Sequence, residues 1–519
     1  MILITSAAYV NPGLASEFGK IPPCMLPVQN RRLYEHQIHL VSKFKGEKIV
    51  ISLPSQYVVP KFDIENIKRL GADVISVPEE LSLGESVVYA LNVSNCNNEP
   101  LRILHGDTLF CEIDDSTDIY AIAKVEYDYD WANVHNDSGS VYAGFFAFSH
   151  PSLLIQKITE NRYDFIKGVE GYSCAQSMSG LQFKGWMDFG LVNSYYRSIS
   201  QMTTQRAFNS IEISPYSVRK KSKDCKKILA EANWFSCLPA SMRHYAPSLW
   251  DWGVDGEYGF YEIEYYYLSS LASLFVFGKN PLFVWDEIID ACASYLKDEY
   301  SIKPAHPKTI AIENDSLYAA KTISRLLDYC EMKGIDANKP WKINGVATPS
   351  LIDIISEVGQ LISKEDEKFA TLMHGDFCFS NILYDFKSKS IKVIDPRGLD
   401  SRGNQTIYGD IRYDVAKLAH SVIGLYDFII GGMFYLEEVS PYEMTISFPT
   451  SGLLAEIQEC FMRTSFAGHT QTELSTVPIV ILLFLSMLPL HYDDSRRQNA
   501  MLANALRLYV ELKKGTYDV

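Results

Sequence analysis

TLMHGDFCFSNILYDFKSKSIKVIDPRG, residues 371–398, decides how the second half of this chain is read. It holds His374, Gly375 and Asp376, then Asn381 five residues after that aspartate, then Asp395 fourteen beyond the asparagine. NILYD and KSIKVID read as two short strands, and the second delivers Asp395 at its end. Phosphoryl transfer needs a carboxylate that orients and takes the proton of an attacking hydroxyl. It also needs oxygen donors that hold Mg²⁺ against nucleotide phosphates. An Asp, an Asn and a second Asp on one hairpin loop supply those parts. A solvated turn with isolated acids is the competing reading, and the joint spacing weighs against it.

The stretch resembles the catalytic loop and metal segment of the aminoglycoside phosphotransferase and choline kinase families. That resemblance implies Asp376 as catalytic base, Asn381 and Asp395 as Mg²⁺ ligands, and His374 as a structural member of the loop. Pro396-Arg397-Gly398 stands where protein kinases carry Phe-Gly, so the smaller phosphotransferases are the nearer likeness, and Arg397 is assigned a structural place. Asp410 and Asp414, in YGDIRYDVAKL, fit a downstream segment of the same families and are expected to brace the loop. A helix N-terminus that favours negative charge explains them equally well.

Upstream, SVRKKS (217–222) reads as a strand and DCKKILAEANWFSC (224–237) as an amphipathic helix carrying Glu231. In kinase-like folds a strand lysine binds the nucleotide phosphates and pairs with a helix glutamate. Lys220 is the choice, because it shares a strand face with Val218; Lys221 is the fallback. EIEYYYLSSL then matches the linker between lobes, where backbone groups near Glu264, Tyr265 and Tyr267 would meet the adenine of ATP. The likeness covers residues 204–519 in its order of elements, with an N-lobe at 204–268 and a C-lobe at 269–519. The C-lobe is expected to be mostly helical.

The first two hundred residues alternate strand-like and helix-like runs (MILIT, RLYEHQIHLVSK, EKIVISLP, ADVISVP, ESVVYALNV, PLRILHGD), which implies an α/β sheet with ligands at the carboxyl ends of strands. This domain, 1–203, is similar to the sugar-phosphate nucleotidyltransferases, including cytidylyltransferases. The likeness rests on Ala7-Ala8 after the first strand, on Asp107 in LHGDTLF, and on Asp188 in KGWMDFGLVNSYYRSI. It implies a Rossmann-like mixed sheet, Asp107 and Asp188 sharing Mg²⁺, and Gly84 in the segment that contacts the base. The first loop, YVNPGLASEFGKIPPCMLPV, departs from the family. Only Gly13 and Gly19 are present, the gripping arginine is missing, and Pro23 occupies the usual lysine position. Lys20, or Arg31 or Arg32 further on, would supply a replacement charge.

Composition narrows the classes. The 519 residues carry 48 basic and 63 acidic side chains, a net charge of −15, which argues against a nucleic-acid partner. The ten cysteines show no metal or redox spacing and read as reduced thiols of a cytoplasmic protein. VPIVILLFLSMLPL (477–490) is too short to span a bilayer, which takes ~20 residues, and reads as a buried helix. The 32 tyrosines, with Trp234, Trp250 and Trp252, offer material for a quaternary-ammonium cage, although core packing is the simpler reading.

Together these readings describe a bifunctional enzyme. One domain phosphorylates a small alcohol or sugar with ATP and Mg²⁺. The other joins that phosphate to a second nucleoside triphosphate, with CTP favoured, giving an activated product for capsule or other surface-polysaccharide synthesis. Choline, ethanolamine, a polyol and a sugar all remain open as substrate. The alternative keeps the kinase and leaves the first domain to bind or regulate.

Overall fold

The computed structural model describes residues 1–519 except 96–98, 126–130, 135–138, 203–208, 309–315, 363–366, 450 and 518–519. The chain divides into two compact units. One is Met1–Met202 with Phe277–Lys279, and the other is Thr203–Val276 with Asn280–Val519. The domain boundary expected near Thr203 lies outside the described residues.

The first unit is built on a seven-stranded sheet: β1 (Ile2–Thr5), β2 (Ile49–Pro54), β3 (Ala72–Val77), β4 (Leu101–His105), β5 (Ile119–Lys124), β6 (Ser140–Phe148) and β7 (Ser179–Leu181), in the order β7-β5-β6-β4-β1-β2-β3. The strands β4-β1-β2-β3 run parallel, whereas β6 is antiparallel to both its neighbours, so the sheet is mixed. MILIT is buried because a parallel strand is covered on both faces. Helix α1 (Pro12–Phe18) lies within the expected phosphate loop, with Asn11 capping it and Pro12 at its first turn. Helix α2 (Leu83–Ser94) opens with a Ser82–Glu85 capping box. Val87, Ala90 and Leu91 of α2 pack with Leu3, Ile103 and Phe146 in one apolar cluster.

The second unit begins with four antiparallel strands, β8 (Asn209–Ile213), β9 (Ser217–Ser222), β10 (Leu249–Asp255) and β11 (Tyr258–Glu264), in the order β8-β9-β11-β10. Helix α3 (Cys225–Cys237) follows β9 and buries Glu231 and Trp234. The remainder is organised by α4 (Lys321–Lys333), α5 (Ile411–Val422), α6 (Thr476–Met487) and α7 (Ser495–Lys513). Residues 476–485 of α6 are all buried, so the apolar run near the C-terminus is a core helix. Among the described residues no helix is long and apolar enough to cross a membrane.

The C-lobe is mostly helical, as expected, but carries strands that were not foreseen. It contains a second sheet made of β12 (Pro340–Ile343), β13 (Val346–Ser350), β16 (Tyr435–Ser440) and β17 (Glu443–Ser447), besides the catalytic hairpin β14 (Ile382–Asp385) and β15 (Ser390–Val393). The turn between β12 and β13 is Asn344-Gly345, both at positive φ, the residue pair that a tight hairpin selects. Trp234 is core, but Trp250 and Trp252 are exposed on the edge strand β10 and pack no core.

Candidate active site

The loop after residue 372 is fixed by α5. Asp414, in the first turn of that helix, is buried and accepts the backbone amides of His374 at 2.7 Å and Gly375 at 2.8 Å. Gly375 is left-handed, and a Cβ there would lie 2.6 Å from Cβ of Arg397, so only glycine fits. His374 is fully buried with Trp234 edge-on at 5.4 Å, and the Trp234 indole donates to the Met373 carbonyl at 2.8 Å. Burial pushes the His374 imidazole down to about 4, so it stays neutral, and Nδ1 accepts the Asp376 amide at 3.3 Å. Asp410 caps α5 and binds Arg412 at 2.7 Å and Tyr318 at 2.9 Å. Asp410 and Asp414 therefore belong to the scaffold beneath the loop.

Asp376 is the reactive-looking group on that scaffold. Its carboxylate is 2.8 Å from Nζ of Lys417 and accepts from Nδ2 of Asn381 at 2.9 Å. Burial pushes this carboxyl up, but the Lys417 ammonium outweighs it and holds it near 2. Asp376 is thus ionised at neutral pH and, at 40% exposure, reachable by a hydroxyl. Lys417 was missed in the sequence. The signal was its place three residues after Asp414, because a helix that docks the loop through one side chain presents the other to the same loop.

Lys220 on β9 pairs with Glu231 on α3 at 2.7 Å and reaches Asp395 at 3.2 Å. Lys221 points elsewhere, to Asp255 at 3.8 Å. Tyr261 sits opposite Lys220 in the β9–β11 register and donates to Asp395 at 3.2 Å. Burial opposes charge on Lys220, yet Asp395 and Glu231 keep it protonated. Burial likewise pushes Asp395 up, and Lys220 with Tyr261 more than reverse this, leaving a carboxylate. Asp395 is at positive φ, and the residue before it, Ile394, donates its amide to the Asn381 carbonyl at 3.0 Å, so the two expected ligands share one hairpin end. Asn381 turns its NH₂ to Asp376, and its oxygen, which accepts the Ser380 hydroxyl at 3.3 Å, keeps a second lone pair for a cation. A carboxylate and an amide oxygen fit Mg²⁺, which keeps several waters and takes its remaining ligands from phosphates.

Two features differ from a standard kinase nucleotide site. In the linker, the amides of Glu264 and Tyr265 are already used by the carbonyls of Ser248 and Tyr216, at 2.9 and 2.8 Å. Tyr267 donates its hydroxyl to Pro215 at 2.8 Å and packs against Tyr265. An adenine would therefore meet carbonyls or later amides of this segment. In addition, no glycine occurs between Gly190 and Gly253, so a glycine-rich phosphate loop is missing from the sequence before Lys220.

In the first unit, Asp107 and Asp188 converge. Asp188 belongs to a two-residue antiparallel pairing in which it faces Thr108, and Asp107 directly precedes that pairing. A Cβ on Gly190 would lie 2.9 Å from one Asp107 oxygen and 3.4 Å from one of Asp188, so glycine leaves the space between them open. Burial and the Asp107 charge push Asp188 up to about 7, and among the described residues its Oδ2 is buried without a close hydrogen-bond partner. This donor set fits a divalent cation, which would neutralise both carboxylates.

The surroundings correct parts of the sequence reading. Arg32 is buried, 3.5 Å from Asp63 and bonded to the Met25 carbonyl at 2.8 Å, so it is not a spare charge for a triphosphate. Arg31 is exposed, and Lys20 lies over the Tyr9 ring at 4.0 Å. Ala8 is exposed and Ala7 half-buried just past the end of β1, where Thr5 and Ser6 lie against Gly106. Gly84 is buried against the backbone of Tyr163, and close packing of α2 accounts for the glycine.

No protein-family model matches the chain, and no curated protein matches it. Solved structures do. Aminoglycoside phosphotransferase APH(4)-Ia aligns at 11% identity and a TM-score of 0.34, over 59% of this chain and 91% of that one. Spectinomycin phosphotransferase APH(9)-Ia, in complex with ADP and spectinomycin, aligns at 9% identity and 0.34, over 60% and 91%.

Proposed function

We propose that the chain is an ATP-dependent phosphotransferase acting on a small hydroxyl compound, with its catalytic domain at residues 204–519 and lobes at 204–268 and 269–519. The observation that carries this reading is the meeting of Asp376, Asn381 and Asp395 with the Lys220–Glu231 pair in one site. Lys220 would bind ATP phosphates, with Glu231 holding it in place. Asn381 and Asp395 would hold Mg²⁺, which when bound offsets charge on the transferring phosphoryl group. Asp376 orients the acceptor hydroxyl and takes its proton as the oxygen attacks the γ-phosphorus. The bond from that phosphorus to the β,γ-bridging oxygen breaks, and ADP leaves.

For residues 1–203 we infer nucleotidyl transfer, with Asp107 and Asp188 holding a second Mg²⁺ and Ala7, Ala8 and Lys20 near the nucleotide. This reading is supported by the two converging carboxylates and by the buried Asp188 oxygen, which has no close hydrogen-bond partner among the described residues. The two activities would run in series in the cytoplasm, the phosphate ester made by one being joined to CTP or another nucleotide by the other, with pyrophosphate released. Such a product would feed surface-polysaccharide assembly. The displaced arginine and the helix inside the first loop favour the second reading, a domain that binds or regulates without chemistry.

³¹P NMR of the full chain with ATP, Mg²⁺, CTP, UTP, GTP and pooled hydroxyl compounds tests both. A phosphomonoester signal that is lost in Asp376→Asn supports the kinase. A new diphosphodiester signal that is lost in Asp107→Asn supports the nucleotidyltransferase; a monoester alone, unchanged by that substitution, leaves a kinase joined to a binding domain.

A further inference from the structure

Beside Asp376 lies a group of cations that the catalytic constellation does not use. Lys321 and Arg325 are one turn apart on α4, both half-buried. Arg397 places its guanidinium 5.5 Å from the ring centre of Tyr413 on α5, and its stem packs against Gly375 of the catalytic loop. Lys417 follows Tyr413 by one turn of α5 and touches Asp376. Among the described residues no carboxylate pairs with Lys321, Arg325 or Arg397, and the charges that act on Lys321 are all cations: Arg397, Arg325 and Lys417. Arg325 donates only to the Ser486 carbonyl, at 3.3 Å, among the described residues.

Such an arrangement costs stability. Like charges at i and i+4 repel, and half-burial strips water from each of them. A purely structural role would be served better by a neutral pair. Lys417 already neutralises Asp376, so Lys321, Arg325 and Arg397, without a countercharge among the described residues, leave a positive field beside the catalytic loop. Two guanidiniums and an ammonium suit a carboxylate or phosphate, which they bind with charge-assisted hydrogen bonds. The same field would repel choline, ethanolamine or an aminoglycoside.

We propose that Lys321, Arg325 and Arg397 form an anion subsite for the acceptor, so that the phosphorylated compound is a hydroxy acid or a hydroxyl-bearing phosphate ester and not a neutral or cationic alcohol. The inference rests on the phosphotransferase reading above and names its substrate class. Burial and the neighbouring cations push Lys321 down to about 7, a cost that a bound anion would relieve.

Two measurements on the full chain test this. In the first, sulfate is titrated by calorimetry into protein saturated with Mg²⁺–AMP-PNP, so that the nucleotide phosphates are already in place. Sulfate is expected to bind the wild type and to weaken at least tenfold in Lys321→Gln and in Arg325→Gln, each checked for folding by circular dichroism. No sulfate binding, or equal binding in folded variants, overturns the inference. Failure of AMP-PNP itself to bind overturns the phosphotransferase reading instead, and the subsite with it. In the second, ATP consumption is compared for glycerate, gluconate and glycerol 3-phosphate, for glycerol and glucose, and for choline and ethanolamine. Stimulation by the anionic set alone is expected, with acceptor KM raised at least tenfold and ATP KM within twofold in Arg325→Gln. Carboxylates and phosphate esters are thereby told apart. Preference for the neutral or cationic set, or a change confined to ATP KM, contradicts the subsite.

Discussion

Replacing Lys220 by methionine removes the ammonium at the centre of a buried three-charge network. Its side chain is 9% exposed and that of Glu231 3%, with Nζ 2.7 Å from the Glu231 carboxylate. Taking away one partner of a buried ion pair costs about 3–5 kcal/mol, because the other charge is left uncompensated. Two features reduce that figure here. Burial already pushes the Glu231 carboxyl up, so it accepts a proton readily once the lysine is gone. Asp395 is 44% exposed and recovers some water. A loss of about 3 kcal/mol is expected, equivalent to a fall of roughly 6 °C in the melting temperature of a unit this large. The assay is scanning calorimetry of Lys220→Met, Glu231→Gln and the double variant at pH 7. The double variant removes both charges and should recover about 1–2 kcal/mol of the loss. A melting temperature for Lys220→Met within a degree of wild type, or a double variant less stable than the single one, would refute the reasoning.

Lys417→Met should raise the Asp376 carboxyl from about 2 by roughly 1–2 units, the lower part of the range for losing a close cation, since the carboxylate is partly open to water. The acid limb of kcat/KM should then appear between about pH 3 and 4 in the variant and lie lower in wild type; identical profiles would count against the pair. Asp188, pushed up to about 7 by burial and Asp107, should make Mn²⁺ binding to the first unit strengthen as pH rises through 7, read by electron paramagnetic resonance. Without metal, the folded state binds this proton more tightly than the unfolded chain. Its contribution to stability is therefore full below about pH 4 and declines up to about 7, and a flat Mn²⁺ profile would exclude the site. Lys321 is pushed down to about 7 by burial and by Arg397 from the catalytic loop, Arg325 from its own helix and Lys417 from α5. Anion affinity should fall as pH rises from 6 to 8 and lose that dependence in Lys321→Gln.

What was legible in the sequence were features carried by short-range patterning. The spacing His374, Asp376, Asn381, Asp395 marks a hairpin because its strands are apolar and its loop polar, and β14 and β15 lie on either side of 386–389 as the residues imply. Lys220 could be chosen over Lys221 because alternation along a strand sends neighbours to opposite faces, and β9 directs them to Glu231 and Asp255 respectively. What escaped were consequences of distant packing. Arg397 was given a structural place, but its contacts with Gly375 and Tyr413 join residues far apart in the sequence and could not be read there. Lys321 and Arg325 drew no notice, since nothing local says that α4 sets them among other cations. Arg32 looked available for a triphosphate because its partner, Asp63, is thirty-one residues away. The Asn344-Gly345 turn was a local signal that was overlooked within a stretch taken as helical.

The most direct test of the central claim is ADP production from ATP by the purified chain, measured with and without Mg²⁺ and in Asp376→Asn. Mg²⁺-dependent turnover is expected in wild type, with a loss of at least a hundredfold in the variant while ATP binding by calorimetry stays within a few fold. Equal turnover in the two proteins, or no ATP binding by either, would contradict the assignment of Asp376 and the phosphotransferase reading built on it.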